Sequence, residues 1–120
     1  MKYELSQKFY FEAAHTLDRA VDAEGSRRIH GHTYHCQISL VGDPSPQTGM
    51  LTDLGFVRRE IERVRDKLDH RFLDEVEGLG PATIENLCKF VFHELIGVMP
   101  TLIRVTIERQ ASGDSCSLSI

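Results

Sequence analysis

The chain has 120 residues, 41% of them hydrophobic and 27% charged, with a formal net charge of −4 and a pI near 5.8. One domain with a real core fits that length, and the acidic balance argues against a dedicated nucleic-acid partner. No stretch nears the ~20 apolar residues of a membrane helix, no signal core follows Met1-Lys2-Tyr3, and Cys36, Cys88 and Cys116 form no disulfide framework; a reduced, cytoplasmic protein is expected.

From Tyr3 to His15 the pattern has period two, with Tyr3, Leu5, Phe9, Phe11 and Ala13 on one face and Glu4, Ser6, Lys8 and Glu12 on the other. That predicts a long half-buried strand with His15 at its end. Asp18 to Arg28 is polar, with Gly25-Ser26 as a turn signal, and reads as a loop. The second strand is predicted over His32–Val41, just after His30-Gly31. His30, His32, Tyr34, Cys36, Ile38 and Leu40 share a parity, so both histidines can face one side of the sheet. Gly42-Asp43-Pro44-Ser45-Pro46 is a loop. Asp53 then caps a predicted helix reaching Leu68, with a stripe of Leu54, Val57, Ile61, Val64 and Leu68. Thr83 caps a second, buried along Ile84, Leu87, Val91 and Leu95 and stopped by Gly97 and Pro100. Strands Leu102–Gln110 and Ser115–Ile120 close the chain around Ser112-Gly113-Asp114. The order ββααββ predicts an α+β fold, an antiparallel sheet with both helices on one face. The other face stays bare unless the protein associates.

His15, His30 and His32 carry the clearest chemistry. A lone strand histidine is usually a hydrogen-bonded core residue, but three at comparable depth, two of them at i and i+2, point to a metal. Three protein ligands leave the fourth tetrahedral position of a zinc ion open, as catalytic sites require. His35 has the opposite parity and His93 lies on the second helix; neither is assigned to the metal. Asp69-His70, at the end of the first helix, reads equally as a capping charge or as a tuned acid/base pair. Glu108 shares a strand face with Arg104 and Thr106. It is either a solvated charge or a bidentate acceptor for two adjacent N–H donors. Arg27 and Arg28, beside the histidines, are solvated loop charges or phosphate contacts.

Phe11-Glu12-Ala13-Ala14-His15, Ile29-His30-Gly31-His32-Thr33-Tyr34, Leu68-Asp69-His70, Pro81-Ala82-Thr83-Ile84-Glu85-Asn86-Leu87 and Glu108 together resemble the 6-pyruvoyl-tetrahydropterin synthase family. The branch they look most like is the bacterial 6-carboxy-5,6,7,8-tetrahydropterin synthases. The resemblance implies a tunnelling fold, in which ββααββ subunits pair strands into an oligomeric barrel, usually a homohexamer with sites between subunits. It implies zinc on His15, His30 and His32, Glu108 as the pterin anchor with Thr83 on the substrate side, and Asp69 with His70 in proton transfer. The implied substrate is 7,8-dihydroneopterin triphosphate, the implied products 6-carboxytetrahydropterin, acetaldehyde and triphosphate, on the way to 7-deazaguanines and queuosine.

One position departs from that pattern. The branch normally carries a cysteine four residues before the first histidine of the H-x-H motif, and this chain has Ser26. A thiol ionises near neutrality with little help, whereas a serine hydroxyl needs an adjacent base. Four explanations stay open. Glu24 or Asp22 in the same loop serves as the base; the enzyme performs another side-chain cleavage; the chain binds zinc and pterin without turnover; or the serine was engineered into a cysteine enzyme.

Overall fold

The computed structural model describes residues 2–120; Met1, the first residue of the start read above, lies outside them. Four strands, β1 (Tyr3–His15), β2 (His30–Gly42), β3 (Leu102–Arg109) and β4 (Asp114–Ser119), form one antiparallel sheet in the order β1-β2-β3-β4. Three helices connect them: α1 (Ala23–Arg27), α2 (Leu54–Arg65) and α3 (Ile84–Ile96), with a single 3-10 turn at Leu73–Glu75. The period-two pattern of β1 and β2 has its expected effect. Phe11, Ala13 and His15 of β1 and Tyr34, Cys36, Ile38 and Leu40 of β2 are buried on the face covered by α2 and α3. We call this the inner face.

Both helix caps form where the sequence places them. Asp53 accepts from the Gly55 N–H at 2.8 Å and Thr83 from the Asn86 N–H at 3.1 Å, satisfying amides that a helix start leaves orphaned. Val57, Ile61 and Val64 of α2 and Leu87, Val91 and Leu95 of α3 supply the buried stripes. Between these helices, Glu94 takes Arg63 at 2.8 Å and Lys67 at 3.0 Å.

Three boundaries differ by more than one residue from the sequence reading. The Asp18–Arg28 stretch is not all loop, since Ala23–Arg27 makes one helical turn entered through Asp22 at φ 58°. Helix α2 stops at Arg65 and not Leu68; Leu68 stays buried, but residues 66–70 close in turns ending at His70, whose φ is also 58°. His30 is the first residue of β2, because it pairs with His15 across the sheet. A register shift at Ser39/Leu40 turns Leu102 inward in place of Ile103. Among the described residues no helix is long and apolar enough to cross a membrane.

A three-histidine candidate metal centre

The β1–β2 register builds the site. His15 stands opposite His30, and Ala13 opposite His32, so all three imidazoles meet on the inner face at one end of the sheet. His15 Nε2 lies 2.9 Å from His30 Nε2 and 3.0 Å from His32 Nε2. The far nitrogens of two rings are already committed: His15 Nδ1 is 2.8 Å from the Ala82 carbonyl and His30 Nδ1 is 2.7 Å from that of Arg28. A carbonyl can only accept, so both Nδ1 atoms carry the proton and both Nε2 atoms turn lone pairs toward one point. Two lone pairs at 2.9 Å do not hydrogen-bond each other. They fit ligands converging on a cation, with backbone carbonyls fixing the tautomers as outer-shell partners do. Tetrahedral zinc–nitrogen bonds of ~2.05 Å would set such nitrogens ~3.3 Å apart, close to the spacing found.

The surroundings disfavour the charged form of two of the three rings. Burial pushes His32 down to about 4, helped by His15 and Arg109. His15 is lowered too, chiefly by burial, against the opposing Ala82 contact. Uncharged imidazole is the form a metal takes.

Around the trio the sequence-predicted residues separate. Ser26 lines a cavity of about 300 Å³ with His30, His32, Asp22 and Arg109. Its hydroxyl donates to the Ala23 carbonyl at 2.9 Å, so no base faces it. Glu24 is turned away, paired with Arg28 at 2.8 Å and 87% exposed. Asp22 is on the cavity wall instead. Gly25 makes room for its carboxylate, since a Cβ there would stand 3.3 Å from Asp22 Oδ1. Arg27 pairs with Asp18 at 3.0 Å in solvent and does not line the cavity, so the solvated reading applies to it. The Thr83 hydroxyl oxygen accepts the α3 cap bond, and the carbonyl of the adjacent Ala82 meets His15.

Asp69 and His70 are not a helix-terminal charge pair, because α2 ends at Arg65. They sit on a loop laid along the β1 edge. There the His70 N–H donates to the Glu12 carbonyl at 2.6 Å and the Ala14 N–H to the Arg71 carbonyl at 3.0 Å. The Glu12 N–H donates to Asp69 Oδ1 at 3.0 Å and holds that carboxyl below its usual range; Asp69 Oδ2 contacts His70 Nδ1 at 2.9 Å. His70 and His32 both line a second, open cavity of about 520 Å³. Glu108 is elsewhere. It pairs with His35 in the β2–β3 register, so it faces away from the histidine trio, on the side of the sheet opposite the helices. It lines a cavity of about 220 Å³ with Tyr10, His35, Gln37 and Thr106.

Sequence reasoning passed over Tyr34 and Arg109. The Tyr34 hydroxyl and Arg109 Nε are buried without a partner, and Tyr34 stacks on Phe11 with ring centroids 5.1 Å apart. A signal was present. Arg109 shares the inner parity of Val105 and Ile107, and a charge on a buried parity asks for a reason.

Comparison with known proteins completes the description. The model of a family described as 6-pyruvoyl tetrahydropterin synthase matches residues 4–118. A 6-carboxy-5,6,7,8-tetrahydropterin synthase from Synechocystis is 32% identical over 95 residues, covering 74% of this chain and 71% of its own. The human 6-pyruvoyl tetrahydrobiopterin synthase is 26% identical over 111 residues, covering 81% of this chain and 77% of its own. The structure of the Caenorhabditis elegans 6-pyruvoyl tetrahydropterin synthase superposes with a TM-score of 0.86 at 29% identity, covering 100% of this chain and 96% of that one.

Proposed function

Since the chain belongs to the 6-pyruvoyl tetrahydropterin synthase family, we propose that it is a zinc-dependent lyase that cleaves the side chain of 7,8-dihydroneopterin triphosphate. The reaction assigned is conversion to 6-carboxy-5,6,7,8-tetrahydropterin, acetaldehyde and triphosphate. The observation that supports it most is the convergence of three Nε2 atoms, two of them with the opposite nitrogen locked by a backbone carbonyl. His15, His30 and His32 hold the zinc. Bound there, the ion would polarise the side-chain oxygens of the substrate and ease proton loss from the carbon beside them.

The remaining work falls to the chain's own side chains. Asp22, on the cavity wall beside Ser26, takes the base role, in preference to Glu24. Asp69 orients the His70 imidazole through its 2.9 Å contact, and His70 carries protons at the mouth of the second cavity. Glu108 accepts the two N–H donors of the pterin edge in the cavity on the other face. That face and the histidine face must both meet one substrate, and assembly into a ring supplies the means. The β4 edge and the β1 edge before Tyr10 suit a homo-oligomer, a hexamer, with sites completed across subunits.

The likeness to the Caenorhabditis elegans structure favours a second reading, 6-pyruvoyl-tetrahydropterin synthesis, in which triphosphate leaves and the carbon chain is kept. Product analysis of the zinc-loaded protein decides. Acetaldehyde with the carboxypterin supports the first reading and the pyruvoyl pterin the second. Pterin binding without any product overturns both and leaves a binding protein.

A further inference from the structure

Arg109 places a positive charge on the inner face of the sheet. It ends β3 on the inner face, directly opposite Asp114, with its side chain only 15% exposed. One nitrogen, Nη2, meets Asp114 Oδ2 at 2.8 Å, and Asp114 is fixed in turn by the Ser112 hydroxyl at 2.8 Å. The guanidinium is therefore anchored from one side. Its Nε is buried and makes no hydrogen bond, and neither does the buried Tyr34 hydroxyl, to whose level the β2–β3 register carries it.

A buried guanidinium nitrogen without an acceptor is costly to leave dry, and it can bind an acceptor oxygen. The charge raises the same question. Arg109 lines one cavity with His30 and His32. A guanidinium next to three imidazoles that hold a dication is repulsive until a ligand places negative charge between them. Arg19 lines the same cavity of about 300 Å³, which is roomy for a tetrahedral oxyanion. The carboxylates of Asp22 and Asp114 line the cavity too, and Asp114 is already engaged by Arg109 Nη2 and the Ser112 hydroxyl.

We propose that Arg109, with Tyr34 behind it and Arg19 at the rim, forms a phosphoryl-oxyanion subsite beside the three histidines, holding the nearest phosphate of the substrate's side chain. This rests on the zinc-dependent reading above and adds to it a residue that selects phosphorylated over dephosphorylated side chains. Arg109 presents Nε as a donor, while Asp114 holds Nη2 and offsets part of the positive charge. The planar fork is the group best matched to phosphate oxygens.

The test is calorimetric titration of the zinc-loaded full chain with inorganic phosphate, and separately with acetate. One phosphate per chain is expected. Arg109→Gln should weaken it tenfold or more, while Arg104→Gln, on the other face and paired with Glu4, should not. Asp114→Asn removes the competing carboxylate and should tighten phosphate severalfold, a gain that misfolding cannot produce. The same ranking is expected in metal-free protein, because the guanidinium does not depend on the ion. Phosphate affinity indifferent to Arg109→Gln, or weakened by Asp114→Asn, overturns the proposal. Acetate bound as tightly as phosphate, with equal dependence on Arg109, overturns the phosphoryl assignment. No pterin is present in these titrations, so their failure leaves the pterin reading standing, and a failed turnover assay leaves this ranking standing.

Discussion

The two faces of the sheet do different jobs with the same strands. On the inner face, three imidazoles are fixed by the β1–β2 register and by carbonyls from the Arg28 and Ala82 segments. On the other, Glu108 sits among side chains that reach it from β1 and β2, and His35 Nδ1 beside it is buried without a partner. The first is a preorganised site within one chain. The second leaves a buried ring nitrogen that no other group of the chain satisfies. A strand reverses its side chains at every residue, so Glu108 and Arg109, adjacent in sequence, serve opposite faces.

The largest effect that would break this division is loss of the metal. His32→Ala should lower zinc affinity by more than the ~100-fold that removal of an outer-shell partner costs; full zinc content by atomic absorption after dialysis would sink the ligand assignment. Next comes Glu108→Gln, which exchanges an acceptor oxygen for a donor. Pterin affinity should fall by roughly 10- to 100-fold, the worth of a charge-assisted hydrogen bond, with zinc content unchanged. Fluorescence titration checks this, and a joint loss of zinc and pterin would show that the faces are not independent.

Mild acid should act through the inner face. His32 titrates at about 4 when folded, against an ordinary 6.5, and His15 is lowered as well. The unfolded chain therefore takes up these protons first, so the metal-free protein should lose stability as pH falls from 6.5 toward 4 and no further below that through this route. Denaturant midpoints across that window measure it; a flat profile would contradict the burial argument. The smallest effect is expected at Thr83→Ala. Loss of the cap should cost about 1 kcal/mol, and the loosened Ala82 carbonyl should weaken zinc slightly. Chemical denaturation and a zinc competition assay separate the two components.

The sequence exposed the inner face far better than the other. Period-two alternation marks β1 and β2, and the shared parity of His30, His32 and Tyr34 is visible without coordinates, because strand geometry depends on local spacing. Both helix caps were equally legible from Asp53 and Thr83. What stayed hidden depends on contacts between distant segments. Nothing local ends α2 at Arg65. The turn after it is set by the Glu12 backbone and by Phe72 bridging to Ala14, more than 50 residues away in the chain. Likewise Glu24 and Asp22 look interchangeable as letters, and only the one-turn helix sends one into solvent with Arg28 and the other to the cavity.

His70 holds a left-handed backbone at φ 58°, a conformation that glycine adopts freely and histidine only at some cost. Thermal robustness and chemistry therefore pull this one codon in opposite directions. A directed-evolution campaign rewarding heat tolerance alone would drift at position 70 toward glycine or asparagine, and the survivors would be sturdier and slower. Retention of histidine under such pressure would be a signature of selection for proton transfer, readable from variant frequencies before any assay of turnover.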